Sequence, residues 1–409
     1  MQIDSLLQTI KAEEVRNQNF LHLTANENQM SKTASQFLGS KLAERYFMGG
    51  GQNEIRDFGH FTGLAHQGIA DLISAAEKAA CQMLGAASVN LSVLSGVHAM
   101  MSTILATTEP GEMVMTVPLE NGGHFATKGI LERVGRGHIF ADYNYEKLQF
   151  DVARIAENCQ KHQVKAIYLD VSYYLNPHNL RELRQAVGEQ VIIIYDASHT
   201  MGLIMGQQFQ NPFAEGADVI CANTHKTLPG PHKGMIAFRD QDLADKANSI
   251  INGCLYSSPH LTHLIALSVA ILEMQEFGQE YAKQIIANSN ALGEAFAALG
   301  YQVRKANTSR YSENHQTHVF LHQKTERLAL YRRLIVNQIV TNFENTELTK
   351  DGQLYMRLGT AEVTRRGMKE VEMKVIAKLM DRALSDDDVK KQVQALNEKF
   401  QKIHYSFDS

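Results

Sequence analysis

The feature that most constrains the fold is an alternation of helical segments with short apolar runs between residues 69 and 238. Residues 69–85 have the apolar spacing of a helix and end at a glycine, and residues 98–108 (HAMMSTILATT) predict the next helix. Residues 191–195 (VIIIY) form the clearest of the continuous apolar runs, which are typical of strands buried on both faces. Strands alternating with helices predict an α/β fold with a mostly parallel, doubly wound sheet. The other predicted strands are SVNLSVLSG (88–96, strand then turn), GEMVMTVP (111–118), KAIYLDVSYY (165–174), DVICANTHK (218–226) and MIAFRD (235–240).

The sequence predicts three regions, although no change in composition marks their boundaries. Residues 1–40 are expected to form an N-terminal helical arm, residues 41–280 a large domain, and residues 281–409 a small α+β C-terminal domain. The small domain follows a helix-rich stretch, 259–299, and contains the strand-like runs THVFLHQ (317–323) and YMRLGT (355–360). Polar residues gather at the carboxyl ends of the large-domain strands, where doubly wound sheets bind ligands.

Composition excludes several classes of function. The 40 basic and 44 acidic side chains nearly cancel without forming a basic stripe, which argues against nucleic acid as the main partner. The most apolar helix, 261–274, is too short to cross a bilayer, and the N-terminus lacks the apolar core of a signal peptide. A cytoplasmic protein without a metal site or disulfide framework is expected, because the four cysteines are far apart: Cys81, Cys159, Cys221 and Cys254.

The most informative segment is NTHKTLPGPHKG, residues 223–234. Lys226 follows a buried strand and precedes a loop rich in proline and glycine. A desolvated lysine at this position would have a lowered pKa and could form an imine. A solvated loop lysine is the alternative, and on this segment alone it is the better interpretation.

The motif YDASH places Asp196 directly after the strand of residues 191–195. A carboxylate there could hold the protonated pyridine nitrogen of pyridoxal phosphate, and His199 could reach the same ring. The alternative is an aspartate that caps a helix, which is common at such a position.

Two glycine-containing turns could hold other parts of a flat, phosphorylated cofactor. Ser95 and Gly96 join a strand to a helix, where backbone N–H groups and a hydroxyl can bind an anion. His124 follows Gly122 and Gly123, so its imidazole could stack on the cofactor where the backbone approaches closely. The alternatives are an ordinary capping turn and a loop histidine.

A single arginine completes the pattern. Arg357 lies in a strand-like run, from which a guanidinium can grip a carboxylate with two hydrogen bonds. Its neighbours Arg365 and Arg366 are predicted to be surface charges. Chance assembly in this order of a phosphate turn, stacking histidine, aspartate, lysine and arginine is improbable.

This ordered set resembles the serine hydroxymethyltransferase superfamily of fold-type-I pyridoxal-phosphate enzymes, and especially its threonine transaldolase branch. The resemblance runs from LTANEN (23–28) to RLGTAEVTRRGMKE (357–370), and THKTLPGP (224–231) and GGH (122–124) are its most specific parts. It implies an aminotransferase-like fold and a homodimer whose active sites are built from both subunits.

Motif by motif, the resemblance also implies residue roles. Lys226 would bind the cofactor as an imine, Ser172 would contact its phenolate oxygen, and Tyr46 would enter the site from the neighbouring subunit. The implied catalytic residues are Lys226, Asp196, His124, His199, His225 and Tyr46. The implied cofactor-binding residues are Ser95, Gly96, Val97, His124, Ser172, Asp196, His199, Asn223, Lys226, Tyr256, Ser257 and Ser258. The implied substrate-binding residues are Arg357, Asn26, Tyr46 and His60.

Four departures from the family pattern bear on the reaction. Met48 stands where the hydroxymethyltransferases have a glutamate that serves the folate-dependent step, and a thioether cannot carry a proton. Asn26 replaces a serine that faces the substrate, and His232 replaces an arginine. The loop that reaches the partner's phosphate is not glycine-rich, although its hydroxyls (255–258, LYSS) could still donate.

The resemblance implies cleavage or formation of the Cα–Cβ bond of β-hydroxy-α-amino acids by way of a glycine quinonoid. Because of Met48, a folate-independent L-threonine transaldolase or aldolase is the favoured interpretation. A tetrahydrofolate-dependent serine hydroxymethyltransferase is the second, with His60 or His66 taking over from the glutamate. The third is a pyridoxal-phosphate-binding protein without activity, which is disfavoured because the lysine, aspartate and arginine are all present.

Overall fold

The structure is a computed structural model that describes residues 3–51, 53–144, 147–321, 326–344 and 354–408. The strands are β1 Leu21–His22, β2 Ile55–Asp57, β3 Thr62–Leu64, β4 Ser88–Asn90, β5 Met113–Thr116, β6 Gly137–Phe140, β7 Tyr143–Asn144, β8 Gln149–Phe150, β9 Val164–Leu169, β10 Ile192–Asp196, β11 Val219–Asn223, β12 Gly234–Phe238, β13 Gln302–Val303, β14 Gln316–Phe320, β15 Ile339–Val340, β16 Asn342–Glu344 and β17 Tyr355–Gly359. The helices are α1 Ile3–Gln18, α2 Lys32–Ser35, α3 Gln67–Leu84, α4 Gly96–Thr107, α5 Thr127–Arg133, α6 Val152–His162, α7 Leu180–Val187, α8 Met201–Met205, α9 Gln241–Ile250, α10 Leu261–Ala298, α11 Arg327–Val336, α12 Ala361–Arg365, α13 Glu370–Leu384 and α14 Lys390–Lys399. Lys41–Glu44 and Leu119–Asn121 are 3₁₀ turns, and Ile251–Leu255 is a π turn.

The larger of two compact units contains Asn28–Lys283 and the chain end from Tyr405. Its centre is a seven-stranded sheet in the order β4-β12-β11-β10-β9-β5-β6. Neighbouring strands are parallel throughout, except that β12 runs antiparallel to both β11 and β4. The predicted mostly parallel sheet is therefore confirmed, with one antiparallel strand that apolar runs alone do not reveal.

The strands form where the apolar runs predict them, because these residues are buried on both faces of the sheet. Ile193, Ile194 and Tyr195 are fully buried in β10. Helix α3 covers the predicted helix and ends at Gly85, whose φ of +68° is the left-handed conformation of a glycine C-cap. At the carboxyl ends of β9, β10 and β11, the chain presents polar residues to the same edge of the sheet.

The smaller unit contains the described residues up to Glu27 and those from Gln284 to His404. Its antiparallel sheet has the order β13-β14-β17-β16, and β1 pairs in parallel with β15. Both predicted strands occur here as β14 and β17, although positions 322 and 323 lie outside the described residues. Helices α11 and α13 pack around a core that includes Leu334, Met356 and Ile376.

The first 27 residues group with this smaller unit instead of standing apart as an arm. Leu21 pairs with Ile339, and Leu21 and Leu23 are fully buried in the same core as Leu358. Helix α1 precedes this pairing and has no buried residue. Pairing between segments some 300 residues apart leaves no local signal in the sequence, which is why the predicted arm of residues 1–40 missed it.

The predicted boundary near residue 280 falls inside one long helix. Helix α10 runs without interruption from Leu261 to Ala298, and the two compact units divide at Lys283 and Gln284. In the described part of the chain, no helix is both long and apolar enough to cross a membrane. All four cysteines are free thiols.

Candidate active site

The larger unit contains a cavity of about 300 Å³ at the carboxyl ends of β9, β10 and β11, beside the start of α4. Small-molecule sites in proteins begin at about this size. Its predicted lining residues are Ser95, Gly96, Val97, His124, Ser172, Asp196, His199, Asn223, His225 and Lys226. Its other lining residues are Met100, Thr127, Tyr168, Asp170, Val171 and Ser198. The fold thus gathers side chains from positions 95 to 226 around one small space.

Lys226 lies against His199 at this cavity. The Nζ atom of Lys226 is 3.0 Å from Nε2 of His199, so the two groups share a hydrogen bond. The next residue, Thr227, donates its hydroxyl to the carbonyl of His199 at 2.8 Å. The chain around Gly202 packs so closely on Thr227 that a Cβ at Gly202 would lie 2.2 Å from the Thr227 carbonyl oxygen. These contacts fix the distance between the lysine and the histidine.

Asp196 is oriented by two hydrogen-bond donors. The hydroxyl of Tyr168 donates to Oδ2 of Asp196 at 2.6 Å, and the backbone N–H of Ser198 donates to Oδ1 at 2.8 Å. Burial, followed by the negative charge of Asp196, holds the pKa of Tyr168 well above its usual value, so this phenol stays a donor. Helix α8 begins only at Met201, with Thr200 as its cap, so Asp196 is not a helix-capping residue.

The start of α4 lies against the end of β11. Ser95 caps the helix, and its hydroxyl accepts the N–H of His98 at 3.1 Å. A Cβ at Gly96 would lie 2.9 Å from Cβ of Asn223, so glycine allows this close approach. Oδ1 of Asn223 is buried and has no hydrogen-bond partner among the described residues. The first N–H groups of a helix have no partner within the helix, so this edge of the cavity suits an anion.

His124 follows a tightly packed glycine turn. Gly122 has a φ of +90°, and a Cβ at Gly123 would lie 2.0 Å from the carbonyl oxygen of Val117. The close approach that these glycines allow is therefore to the protein's own backbone. The N–H of Ser172 donates to the carbonyl of Gly122 at 2.7 Å, which ties the turn to the end of β9. Burial lowers the pKa of His124, so its imidazole is neutral at pH 7 and presents a flat, uncharged face.

Several predicted residues of the larger unit do not line this cavity within the single described chain. Tyr46 and His60 are exposed. Tyr256, Ser257 and Ser258 follow the π turn and are half-buried or exposed, also outside the lining set. All five were expected from a dimer whose subunits complete each other's sites, or were carried over from the family pattern.

Met48 is half-buried beside the β2–β3 hairpin. A Cβ at Gly63 would lie 3.2 Å from Cγ of Met48, so the thioether side chain packs on β3. His66, one of the two candidate replacements for the missing glutamate, is half-buried with its ring centroid 6.3 Å from that of Phe47.

The predicted substrate-binding residues Arg357 and Asn26 belong to the smaller unit. Arg357 is 7% exposed on β17, and its Nη2 atom lies 3.1 Å from Oε1 of Glu344 on the neighbouring strand β16. Asn26 is half-buried, and its Oδ1 has no hydrogen-bond partner in the described part of the chain.

The prediction that Arg365 and Arg366 are surface charges is wrong. Arg365 is fully buried and Arg366 is 4% exposed. The Arg366 guanidinium donates to the carbonyl of Phe400 at 2.9 Å and to that of Asn397 at 3.2 Å. Burial lowers the pKa of Arg366. The carbonyls at the end of α14 satisfy this cation, a long-range partnership that charge patterning does not disclose.

The residues of the site that the sequence analysis did not identify include Asp170, Tyr168, Thr127 and Asn28. Asp170, Tyr168 and Thr127 line the cavity, and Asp170 follows β9 just as Asp196 ends β10. Asn28 donates to the carbonyl of Lys226 and to the hydroxyl of Tyr281. The sequence signal for Asp170 is a polar residue directly after a buried strand, the same kind of signal that predicts Asp196.

The segment after Lys226 contains one of the family departures, His232, and next to it a buried lysine, Lys233. The ring of His232 stacks on that of His225, with centroids 3.8 Å apart and an interplanar angle of 16°. Lys233 is 1% exposed and donates to the carbonyl of Pro259 at 2.9 Å. Burial lowers the pKa of Lys233 to about 7.

The chain is similar to known proteins that belong to one family of enzymes. The family model described as serine hydroxymethyltransferase matches residues 1–380. Serine hydroxymethyltransferase from Methanocella arvoryzae is 33% identical over 402 residues, which cover 95% of this chain and 92% of that protein. Fluorothreonine transaldolase from Streptantibioticus cattleyicolor is 33% identical over 389 residues, covering 92% of this chain but 59% of that protein. The crystal structure of L-threonine transaldolase from Pseudomonas fluorescens in its internal aldimine state matches with a TM-score of 0.88 and 28% identity, covering 99% of this chain and 94% of that one.

Proposed function

The chain belongs to the serine hydroxymethyltransferase family of pyridoxal-phosphate-dependent transferases, and from this premise we propose that it is a folate-independent L-threonine transaldolase or aldolase. Its fold is that of fold-type-I enzymes of this class, and its reaction class is chemistry at the Cα–Cβ bond of amino acids. The proposal concerns which of the family's reactions the chain carries out.

The cavity residues fit pyridoxal phosphate in charge and in donor chemistry. An amine (Lys226), a carboxylate (Asp196) and a helix start (Ser95–Val97) lie around one space of about 300 Å³. The buried Oδ1 of Asn223, which lacks a partner in the described chain, lies beside that helix start. When bound, pyridoxal phosphate supplies an electron sink that stabilises negative charge at Cα.

Each cavity residue then has a proposed task. Lys226 would attach the cofactor, and its hydrogen bond to His199 gives its amine a neighbour that can hold or return a proton. Asp196, oriented by Tyr168 and Ser198, would pair with the protonated pyridine nitrogen. The neutral ring of His124 would stack on the cofactor without competing for that carboxylate.

The observation that carries the choice of reaction is Met48. Transfer of a one-carbon unit to or from folate needs a proton carrier beside the cofactor, and the family pattern places a glutamate at this position. Met48 instead packs on Gly63 and offers only a weak sulfur acceptor. In the proposed dimer, an apolar side chain at this position would make the edge of the site drier, which suits an aldehyde acceptor.

Serine hydroxymethyltransferase is the second candidate, because relatives of that name are 29–35% identical to this chain. In that case His60 or His66 would supply the missing proton carrier. His60 is exposed in the turn of the β2–β3 hairpin, whose Gly63 lies beside Met48, and His66 is half-buried just after β3.

The folate requirement separates the two candidates. With L-serine, we expect glycine release to be no faster with tetrahydrofolate than without it. With L-threonine and an added aromatic or aliphatic aldehyde, we expect acetaldehyde and a new β-hydroxy-α-amino acid, both measured by chromatography. Met48→Leu is the matched control and should behave like the wild type. A strong tetrahydrofolate-dependent release of glycine from serine would establish the second candidate, and His60 and His66 would be the first residues to replace.

Arg357 supplies an independent test of substrate binding. A buried charge-assisted pair with a carboxylate is worth roughly 1.5–3 kcal/mol, so Arg357→Lys should lower L-threonine affinity about 10- to 100-fold while cofactor affinity is retained. Spectral titration with L-threonine and with pyridoxal phosphate measures both. Arg181→Lys, at an exposed position of α7, is the control. Unchanged L-threonine affinity in Arg357→Lys would remove this assignment.

Two further proposals concern the oligomeric state and the cellular location of the enzyme. We infer a homodimer in which Tyr46 and the segment Tyr256–Ser258 complete the neighbouring subunit's site, since none of them lines the cavity of its own chain. We also infer a role in cytoplasmic amino-acid metabolism, in keeping with four free thiols.

A further inference from the structure

Two carboxyl groups lie side by side at the cavity, and the proposed function uses one of them. Leu169 pairs with Tyr195 in the parallel register of β9 and β10, so the next residues, Asp170 just after β9 and Asp196 at the end of β10, occupy neighbouring positions. Both line the cavity. Asp170 has no place in the predicted site, yet it is the more deeply buried of the two carboxyl groups.

The two oxygens of Asp170 differ in their surroundings. Oδ2 accepts the backbone N–H of His124 at 3.0 Å and the hydroxyl of Thr127 at 2.6 Å. Oδ1 is buried and has no hydrogen-bond partner among the described residues. A buried carboxyl oxygen without a donor is less costly when it carries the proton. The geometry thus favours a neutral acid that bears its proton on Oδ1 and accepts through Oδ2.

The charges around Asp170 point the same way. Burial raises the pKa of Asp170 to about 7. The hydrogen bonds that its carboxyl group accepts, first from Thr127 and then from backbone N–H groups including that of His124, oppose this shift, and the charge of Asp196 reinforces it. The titratable groups that face Asp170 are Asp196 at the end of β10, Tyr168 near the end of β9 and His124 in the loop that Asp170 holds. A second negative charge beside Asp196 is unfavourable, which adds to the preference for the neutral form.

The contact with His124 gives Asp170 a consequence for the cofactor site. The N–H of Ser172 holds the loop at Gly122, and Asp170 holds it at His124 itself and at Thr127, the first residue of α5. Nδ1 of His124 accepts the N–H of Ala126 at 3.3 Å, so the ring direction depends on the main chain that Asp170 fixes.

We propose that Asp170 is a positioning residue that, as a neutral acid, fixes the main chain at His124 and so holds the imidazole against the bound cofactor. The inference rests on the proposed stacking role of His124. It does not depend on whether the enzyme uses folate, because cofactor binding is common to the whole family.

Cofactor affinity tests the positioning role. Asp170→Ala removes the acceptor of two hydrogen bonds, and we expect pyridoxal phosphate to bind roughly tenfold more weakly, measured by spectral titration. Asp170→Asn keeps an acceptor oxygen and mimics the neutral acid, so near wild-type affinity is expected. Thr127→Val, which removes only the hydroxyl partner, should have a smaller effect than Asp170→Ala.

A double-variant cycle distinguishes positioning from general structural damage. If Asp170 acts through His124, Asp170→Ala combined with His124→Ala should bind the cofactor no more weakly than the weaker of the two single variants. Additive losses would overturn the proposal, as would an Asp170→Asn variant that binds as weakly as Asp170→Ala. If His124→Ala alone leaves affinity unchanged, the proposed stacking role fails instead, and the two failures are thereby separated.

The pH dependence of stability tests the neutral state without measuring activity. The pKa of Asp170 is raised in the folded protein from 3.8 to about 7, so its contribution to stability is present below pH 4 and is lost as the pH rises through 7. Asp170→Asn has no such loss. The melting temperature of the Asn holoenzyme, relative to the wild-type holoenzyme, should therefore increase between pH 5 and pH 8. A difference that does not change over this interval would contradict a neutral Asp170.

Discussion

Lys226→Ala is expected to leave a folded protein that no longer retains pyridoxal phosphate covalently. The amine that lies 3.0 Å from Nε2 of His199 is the proposed attachment point, and no alanine can replace it. Loss of a nucleophile and of its proton-transfer role should lower turnover of L-threonine by at least roughly 10³-fold. The visible absorption band of the bound cofactor should disappear, and borohydride reduction should leave no cofactor mass on the chain.

The control for this prediction is a variant with a cationic side chain that cannot form an imine. Lys226→Arg places a cationic guanidinium beside His199, and a guanidinium does not form an imine with the cofactor. If Lys226 acts by covalent attachment, the arginine variant should be as inactive as the alanine variant. An alanine variant with a wild-type visible band would show that another amine, such as the buried Lys233, holds the cofactor.

The sequence could predict this part of the site because its signals are local. A continuous apolar run followed by Asp196 marks the carboxyl end of a buried strand, and the same pattern precedes Lys226. In a parallel sheet such ends share one edge, so two local patterns predict a long-range meeting. The structure brings these residues to one cavity together with His124.

Other features depend on partners that no local pattern discloses. The burial of Arg366 depends on backbone carbonyls some thirty residues later in the chain, and the place of Leu21 depends on pairing with Ile339. Asn28 lies in the quoted motif LTANEN, yet its contact with the Lys226 carbonyl appears only when the chain is folded. Each of these contacts joins segments that are far apart in the sequence, so it forms only when the chain folds.

Asp170 is intermediate between the residues that local patterns predict and those that only long-range contacts place. It lies inside the predicted strand run KAIYLDVSYY, which contains two charged residues, Lys165 and Asp170. Because the apolar residue Val171 follows Asp170, the end of β9 at Leu169 is not evident from the sequence. A buried acid in such a run is a candidate site residue just as Asp196 is, because neither is stable there without donors or a proton.

Asp196→Asn is expected to produce the other large loss of activity. The proposed ion pair with the pyridine nitrogen keeps that nitrogen protonated, and an amide cannot supply the negative charge. Breaking a buried charge pair by removing one partner costs about 3–5 kcal/mol, which corresponds to a fall in L-threonine turnover of roughly 10²–10⁴-fold. The asparagine oxygen can still accept one donor, from Tyr168 or Ser198, so the variant should fold and bind cofactor. Steady-state kinetics and the absorption spectrum of the bound cofactor measure both parts.

Tyr168→Phe is the matched control, because it removes one donor to Asp196 and leaves the carboxylate in place. A single hydrogen bond to a charged group contributes about 1.5–3 kcal/mol at most, so the loss of turnover should be roughly 10- to 100-fold and smaller than that of Asp196→Asn. Asp196→Asn should lose more turnover than Tyr168→Phe, because the negative charge of Asp196 should matter more than the hydroxyl that orients it. Equal losses would mean that orientation alone accounts for the role of Asp196, and an active Asp196→Asn enzyme would show that the cofactor nitrogen needs no carboxylate here.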